Sequence, residues 1–149
     1  MVMKMKSDYE ILNYVYKNAS MGYNSTFTLL KTLANKENKI KEVVQDILNS
    51  YEQFTKKSEL LLAKINQDGK KYSTMATMSA DMGIKRKINI DNSDVAVAEM
   101  LIKGLTMGKN EMEELFSDID KEVEHKIVDL MNDFKDFQAN AIKKLEKYL

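Results

Sequence analysis

The one histidine of the chain, His125, stands three residues after Glu122, and within a helix this spacing puts a carboxylate and an imidazole on one face. Two such Glu-x-x-His pairs, with one inward Glu from each of two further helices, make the ligand set of a carboxylate-bridged pair of metal ions inside a helical bundle. The second pair is absent here, because the stretch at residues 37–40 supplies no histidine. Glu122 and His125 also fall in the first turn or two of the last helix, whereas a site at the bundle centre needs mid-helix ligands. Where bridging carboxylates would point inward, the first and third helices carry Tyr23, Phe27, Leu105 and Met112. Glu122 and His125 are therefore read as a solvated helix start, where an acidic side chain also suits the helix dipole. They are kept as the weak metal candidates, and no cofactor is expected.

Other chemistry is thinner still. The chain has no cysteine, which removes thiolate catalysis, disulfides and cysteine-ligated metal. It holds no Ser-His-Asp set and no glycine-rich phosphate loop, so an enzyme is not expected. Lysine plus arginine and aspartate plus glutamate both number 23, so no bulk field draws the protein to nucleic acid or to an anionic membrane. Lys85-Arg86-Lys87 is the one dense basic run and reads as a solvated loop. The start, MVMKMKSD, has no continuous apolar stretch, and no other run approaches the roughly 20 apolar residues of a membrane span. A cytoplasmic protein is expected.

The elements that would position these residues are helical. No proline interrupts the 149 residues. Ser7 and Glu10 have capping-box spacing, and apolar side chains recur at helical intervals from Ile11 to Leu33. Polar residues from Asn35 to Asn38 mark a turn, and a second stripe runs from Ile40 to Ile65 and stops at Asp68-Gly69. A Met-rich helical piece is expected from Tyr72 to Met82, ended by Gly83. Its Met75, Met78 and Met82 share one face and read as a gap-filling strip gluing this piece to the bundle, with an adaptable docking surface as the alternative. After the N-cap candidates Asp91, Asn92 and Ser93, a third long helix follows from Val95 to Ile119 and a fourth from Val123 to Tyr148.

Sliding the chain by 86 positions sets Lys17, Met21, Gly22, Asn24 and Leu29 on the identical residues Lys103, Met107, Gly108, Asn110 and Leu115. Farther on the offset falls to 83, pairing Tyr51 with Phe134 and Phe54 with Phe137. The second copy is thus three residues shorter, and the deletion is placed in the hairpin turn, where it leaves both stripes in phase. Gly22 and Gly108 are expected to let the first and third helices approach closely. The chain then divides into repeat one at about 7–66, a crossover at about 67–91 and repeat two at about 92–149, all within one domain, 1–149. Two hairpins joined by so long a link have the connectivity of a ferritin-like bundle.

The paired Met-Gly motifs, the Met100–Gly108 string and the duplication resemble small duplicated ferritin-like four-helix-bundle proteins of unknown function from low-GC Gram-positive bacteria. That resemblance spans Tyr9 to Leu149 and implies an all-α, ferritin-like four-helix bundle, but no activity. The expected function is that of a non-enzymatic structural or protein-interaction module, associating with itself or with another protein. The alternative is a degenerate ferritin-like metal-binding or redox protein, in which Glu122, His125 and nearby carboxylates hold a single ion. A small apolar ligand held between the helices is a third reading.

Overall fold

The computed structural model describes residues 7–149 and is all-helical: α1 (Asp8–Thr32), α2 (Lys41–Lys64), α3 (Thr74–Ile90), α4 (Asp94–Leu115) and α5 (His125–Glu146). The chain start, expected to hold no apolar leader, lies outside the described residues at positions 1–6. No described helix is long and apolar enough to cross a membrane.

Helix starts follow local chemistry. The Ser7 hydroxyl accepts from the backbone N–H of Glu10 and donates to its carboxylate, both at 3.4 Å, so Ser7 caps α1 where the sequence implies. Ser73 and Ser93 cap α3 and α4 in the same way, accepting from the backbone N–H groups of Ala76 and Ala96. Before α4, Asp91 accepts from the N–H of Ser93, and this bond holds the Asp91 carboxyl below its usual range. α2 ends without glycine: Asn66 takes the left-handed conformation (φ 57°) while the N–H groups of Asn66 and Gln67 bond Ala63 and Leu62. Asparagine tolerates that conformation better than most residues, and the two bonds satisfy carbonyls at the helix end.

α1 packs on α2 and α4 on α5 as hairpins. Across them, Tyr51 and Phe54 of α2 meet Phe134 and Phe137 of α5, with ring centroids 5.0–6.5 Å apart. Tyr14, early in α1, packs edge-on against Phe116 at the end of α4 at 5.1 Å and donates to the carbonyl of Gly108. α1 and α4 therefore run antiparallel, and α2 and α4 point the same way. The link between them climbs back along α1. The Tyr72 hydroxyl donates to Asn18, the Thr28 hydroxyl to Asp81, and the Asn38 amide to the carbonyl of Asn92 and the carboxylate of Asp94. At its start the link crosses the ring of Tyr16 so closely that a Cβ on Gly69 would lie 2.2 Å from it.

Three expectations change here. α3 does not end at Gly83 but runs 17 residues through it, because Ile84 and Ile88 continue the inward side of the helix and give it something to bury. The second hairpin is not the shorter of the two in its turn. α1 continues ten residues beyond Gly22 and α4 seven beyond Gly108, so the shortening falls at the end of α4. Phe27 and Leu115, expected on the apolar stripes, are 43% and 37% exposed, and Tyr14, Thr26, Thr28 and Leu29 are buried in the helix that holds Phe27.

Because nothing lies within 4 Å of a Cβ built on Gly83, alanine there removes the entropic cost of a helical glycine without a clash. Gly83→Ala is expected to raise the unfolding free energy by about 0.5–1 kcal/mol, read by urea denaturation.

Candidate functional site

Glu122 and His125, the weak metal candidates, do not share a helix. Glu122 sits in the loop before α5, where its N–H bonds Asp120 at 2.9 Å and the next turn is tied back to α1 by the Glu124 N–H to Asp8 at 3.2 Å. These bonds hold the chain out of helix until His125, which becomes the first residue of α5. The His125 side chain is 90% exposed and faces Asp129 one turn later at 3.6 Å. Among the described residues no three of His, Asp and Glu are grouped so as to hold a metal ion.

Two other features stand out. The first is the outward face of α3. Met75, Met78 and Met82 are 79%, 59% and 59% exposed, so they are not the glue expected from the sequence. The inward face is made instead by Ala80, Ile84 and Ile88, which recur at the same helical interval on the opposite side. Lys85, Arg86 and Lys87 follow the methionines on this same helix, exposed, and not in a loop.

The second is a cavity of about 300 Å³ between α1, α3, α4 and α5, with Tyr51 of α2 in its wall. Leu29, Leu101, Leu105 and Phe134 supply hydrocarbon, and Met21 and Met100 flank it. Gly22, Gly104 and Gly108 all border the space. The two motif glycines therefore do not bring α1 and α4 into direct contact at these positions. A Cβ on Gly22 would press on the Tyr51 ring of α2, and one on Gly108 would come 3.0 Å from the Gln138 amide of α5. Each glycine seats a side chain of its own hairpin partner. Gly104 is exposed and has nothing within 4 Å of a built Cβ, so the α4 side of the cavity stands open.

Polar groups in the wall are few. Gln138 is 2% exposed and its Oε1 has no hydrogen-bond partner. Burial pushes the Tyr51 phenol well above its ordinary pKa. At one side of the cavity Asn18 bridges Tyr72 and the Tyr14 carbonyl, with the Lys17 ammonium 4.4 Å from the centre of the Tyr72 ring. The Tyr14 hydroxyl is also raised, by burial first and then by the Glu111 carboxylate. Both phenols stay protonated at neutral pH, and the Tyr14 hydroxyl donates to the Gly108 carbonyl. No charged side chain lines the wall.

Sequence reasoning missed this cavity, although the signal was present. Glycines 104 and 108 lie one turn apart on the face opposite Gly22, and Gln138 occupies a position of the Phe134–Ala141–Leu145 stripe where hydrocarbon is the rule. Small residues facing each other across an interface leave space, and an amide there implies something polar to meet.

No protein family, no curated protein and no solved structure matches the chain.

Proposed function

We propose that the protein is a non-enzymatic structural module, a duplicated ferritin-like bundle that assembles with further copies of itself. The observation that carries this reading is the row of three exposed methionines on α3. Methionine is flexible and polarizable, so a row of such side chains repacks readily against another surface, and apolar rows rimmed by polar residues mark interaction sites.

Charge favours a second copy as the partner. With a formal net charge of zero, copies do not repel one another as wholes. The charges are nevertheless separated: α3 carries Lys85, Arg86 and Lys87, whereas residues 111–124 hold seven acidic side chains and one lysine. α3 rises toward Asn38 and Asp94, while α4 ends beside Tyr14 and Asp8, so the basic run and the acidic turn lie toward opposite ends of the bundle. The connectivity of the hairpins, with α2 and α4 pointing the same way, supports the ferritin-like assignment. A bacterial, cytoplasmic setting goes with the resemblance and belongs to the same proposal.

Light scattering over a micromolar-to-millimolar concentration series tests it. The expected result is a mass above 17.2 kDa that falls as salt is added, and a monomer when Met75, Met78 and Met82 are all changed to glutamine. Because those side chains are exposed on the single chain, the triple variant should keep the wild-type melting temperature at a dilution where both are monomers. A wild-type chain that stays at monomer mass throughout the series would sink the reading.

A further inference from the structure

The geometry points to the cavity between α1, α3, α4 and α5 as a binding site for one small, neutral, mostly apolar molecule carrying a single hydroxyl or amide group, which Gln138 receives. This inference is independent of self-association through α3.

Size is the first argument. At about 300 Å³ the space, open on its α4 side, falls at the lower end of small-molecule sites, about 300–1,000 Å³. Liquid water takes about 30 Å³ per molecule, so the cavity would hold several waters. Leu29, Leu101, Leu105 and Phe134 offer such waters no hydrogen bonds, and most of the accessible wall is hydrocarbon, with polar groups only at Asn18, Ser25, Thr26, Tyr51, Tyr72 and Gln138. A hydrocarbon body satisfies this wall better than solvent does.

The polar part of the wall is the second: Asn18, Ser25, Thr26, Tyr51 and Tyr72 also border the space, but among the lining residues only Gln138 has a buried polar atom without a partner. Gln138 is held 2% exposed on an otherwise apolar stripe, and a buried carboxamide oxygen without a partner is unfavourable. The carboxamide turns about its last bond and so presents either its carbonyl oxygen or its NH₂ group. A ligand hydroxyl donates to the Oε1 that has no partner, which an ether oxygen cannot do, and can also accept from the NH₂ group. No lysine, arginine, aspartate or glutamate borders the cavity, so a phosphate, a carboxylate or an ammonium ion would be desolvated without compensation. The ligand is therefore neutral.

Access is the third. Gly104 is exposed beside the space and a side chain there meets no atom, which leaves an entrance that any larger residue would close. Met21 and Met100 flank the wall and adjust to the outline of the guest.

The probe is 1-octanol, with 1-methoxyheptane as its counterpart lacking the donor, titrated into the full chain carrying ¹³C-methyl methionine. One-site saturation is expected, with the Met21 and Met100 methyl signals moving and those of Met75, Met78 and Met82 unmoved. 1-Octanol should bind about tenfold more tightly than 1-methoxyheptane, the ratio that one hydrogen bond to a buried group supplies. Gly104→Phe should abolish saturation. Gln138→Leu, which breaks no hydrogen bond inside the protein, should bind both probes equally. Octanol that leaves the Met21 and Met100 signals in place, or binds Gly104→Phe as well as wild type, overturns the proposal. Equal affinity of the two probes for the wild-type chain overturns the role given to Gln138.

Discussion

Replacing Phe134 by alanine is expected to cost about 3–5 kcal/mol of folding free energy, the largest effect of any single side chain in the bundle. The ring is 0% exposed and lies at the centre of the aromatic cluster that joins α2 to α5, with Phe54 at 5.1 Å, Phe137 at 6.0 Å and Tyr51 at 6.5 Å. Removing it forfeits both the transfer of a phenyl group from water and the edge-on contacts, which add about 0.5–1.5 kcal/mol each. Phe134 also borders the existing cavity. The new void would merge with that space, not collapse, and this places the cost toward the upper end of the range. Small domains have only about 5–15 kcal/mol to lose, so the variant should be close to unfolding at body temperature. Phe27→Ala is the control: its ring is 43% exposed, stacked on Tyr23 at 6.2 Å and capped by the Lys31 ammonium. It should cost under about 1 kcal/mol. Urea midpoints compared at unchanged slope read both values. A Phe134→Ala loss as small as that of Phe27→Ala would mean that α5 is not packed against α2 as described.

Much of this architecture was legible because helix signals are local. Ser7 and Ser93 acted through bonds to a backbone N–H three residues away, and such bonds depend on no distant partner. In α5 the stripe was right at Ile127, Leu130, Met131, Phe134 and Leu145, whereas Gln138 and Ala141 are buried and Phe137 and Ile142, expected in the stripe, are only half-buried. What failed was the choice between two faces. α3 carries apolar residues on both sides, Met75-Met78-Met82 on one and Ala80-Ile84-Ile88 on the other, and composition favours the bulkier row. The bundle took the other row, because small alanines let α3 lie close to α1, where Asp81 reaches the Thr28 hydroxyl at 2.9 Å. Gly83 misled for a related reason: a glycine stops a helix only where the chain has no further surface to bury, and Ile88, 1% exposed, supplied one.

The candidate site was less legible, because it is made of absences. Glu122 and His125 are chemically conspicuous, yet their joint presence on a helix depended on whether α5 begins at residue 122 or 125, and bonds to Asp120 and Asp8 decided that. Asp8 is more than a hundred residues away, beyond the reach of any pattern in the last helix. The cavity depended on three glycines from two helices converging, and only the antiparallel pairing of α1 with α4 brings Gly22 to the same space as Gly104. The two Met-Gly pairs serve different neighbours: Gly22 receives a phenol ring, Gly108 an amide.

That difference makes Gly22→Ala the second large effect, and its sign is the informative part. A helical glycine replaced by alanine ordinarily gains about 0.5–1 kcal/mol, as expected at Gly83. At Gly22 the new Cβ would stand 2.3–2.6 Å from three atoms of the Tyr51 ring. The ring cannot retreat freely, because its far side meets Phe137 edge-on at 5.0 Å. Overpacking of this kind costs about 1–3 kcal/mol and outweighs the helical gain, so a net loss of about 1–2 kcal/mol is expected. The cheapest escape is for the ring to swing into the cavity it borders, which would lessen the loss of stability but fill the space. The two responses separate experimentally: a shifted urea midpoint with 1-octanol binding intact reports strain, and a near-normal midpoint with binding abolished reports displacement. In either case Tyr51→Ala in the same chain should remove the penalty of the alanine at position 22, with a coupling of about 0.5–3 kcal/mol in the double-mutant cycle. Additive losses in that cycle would show that the glycine does not serve the tyrosine at all.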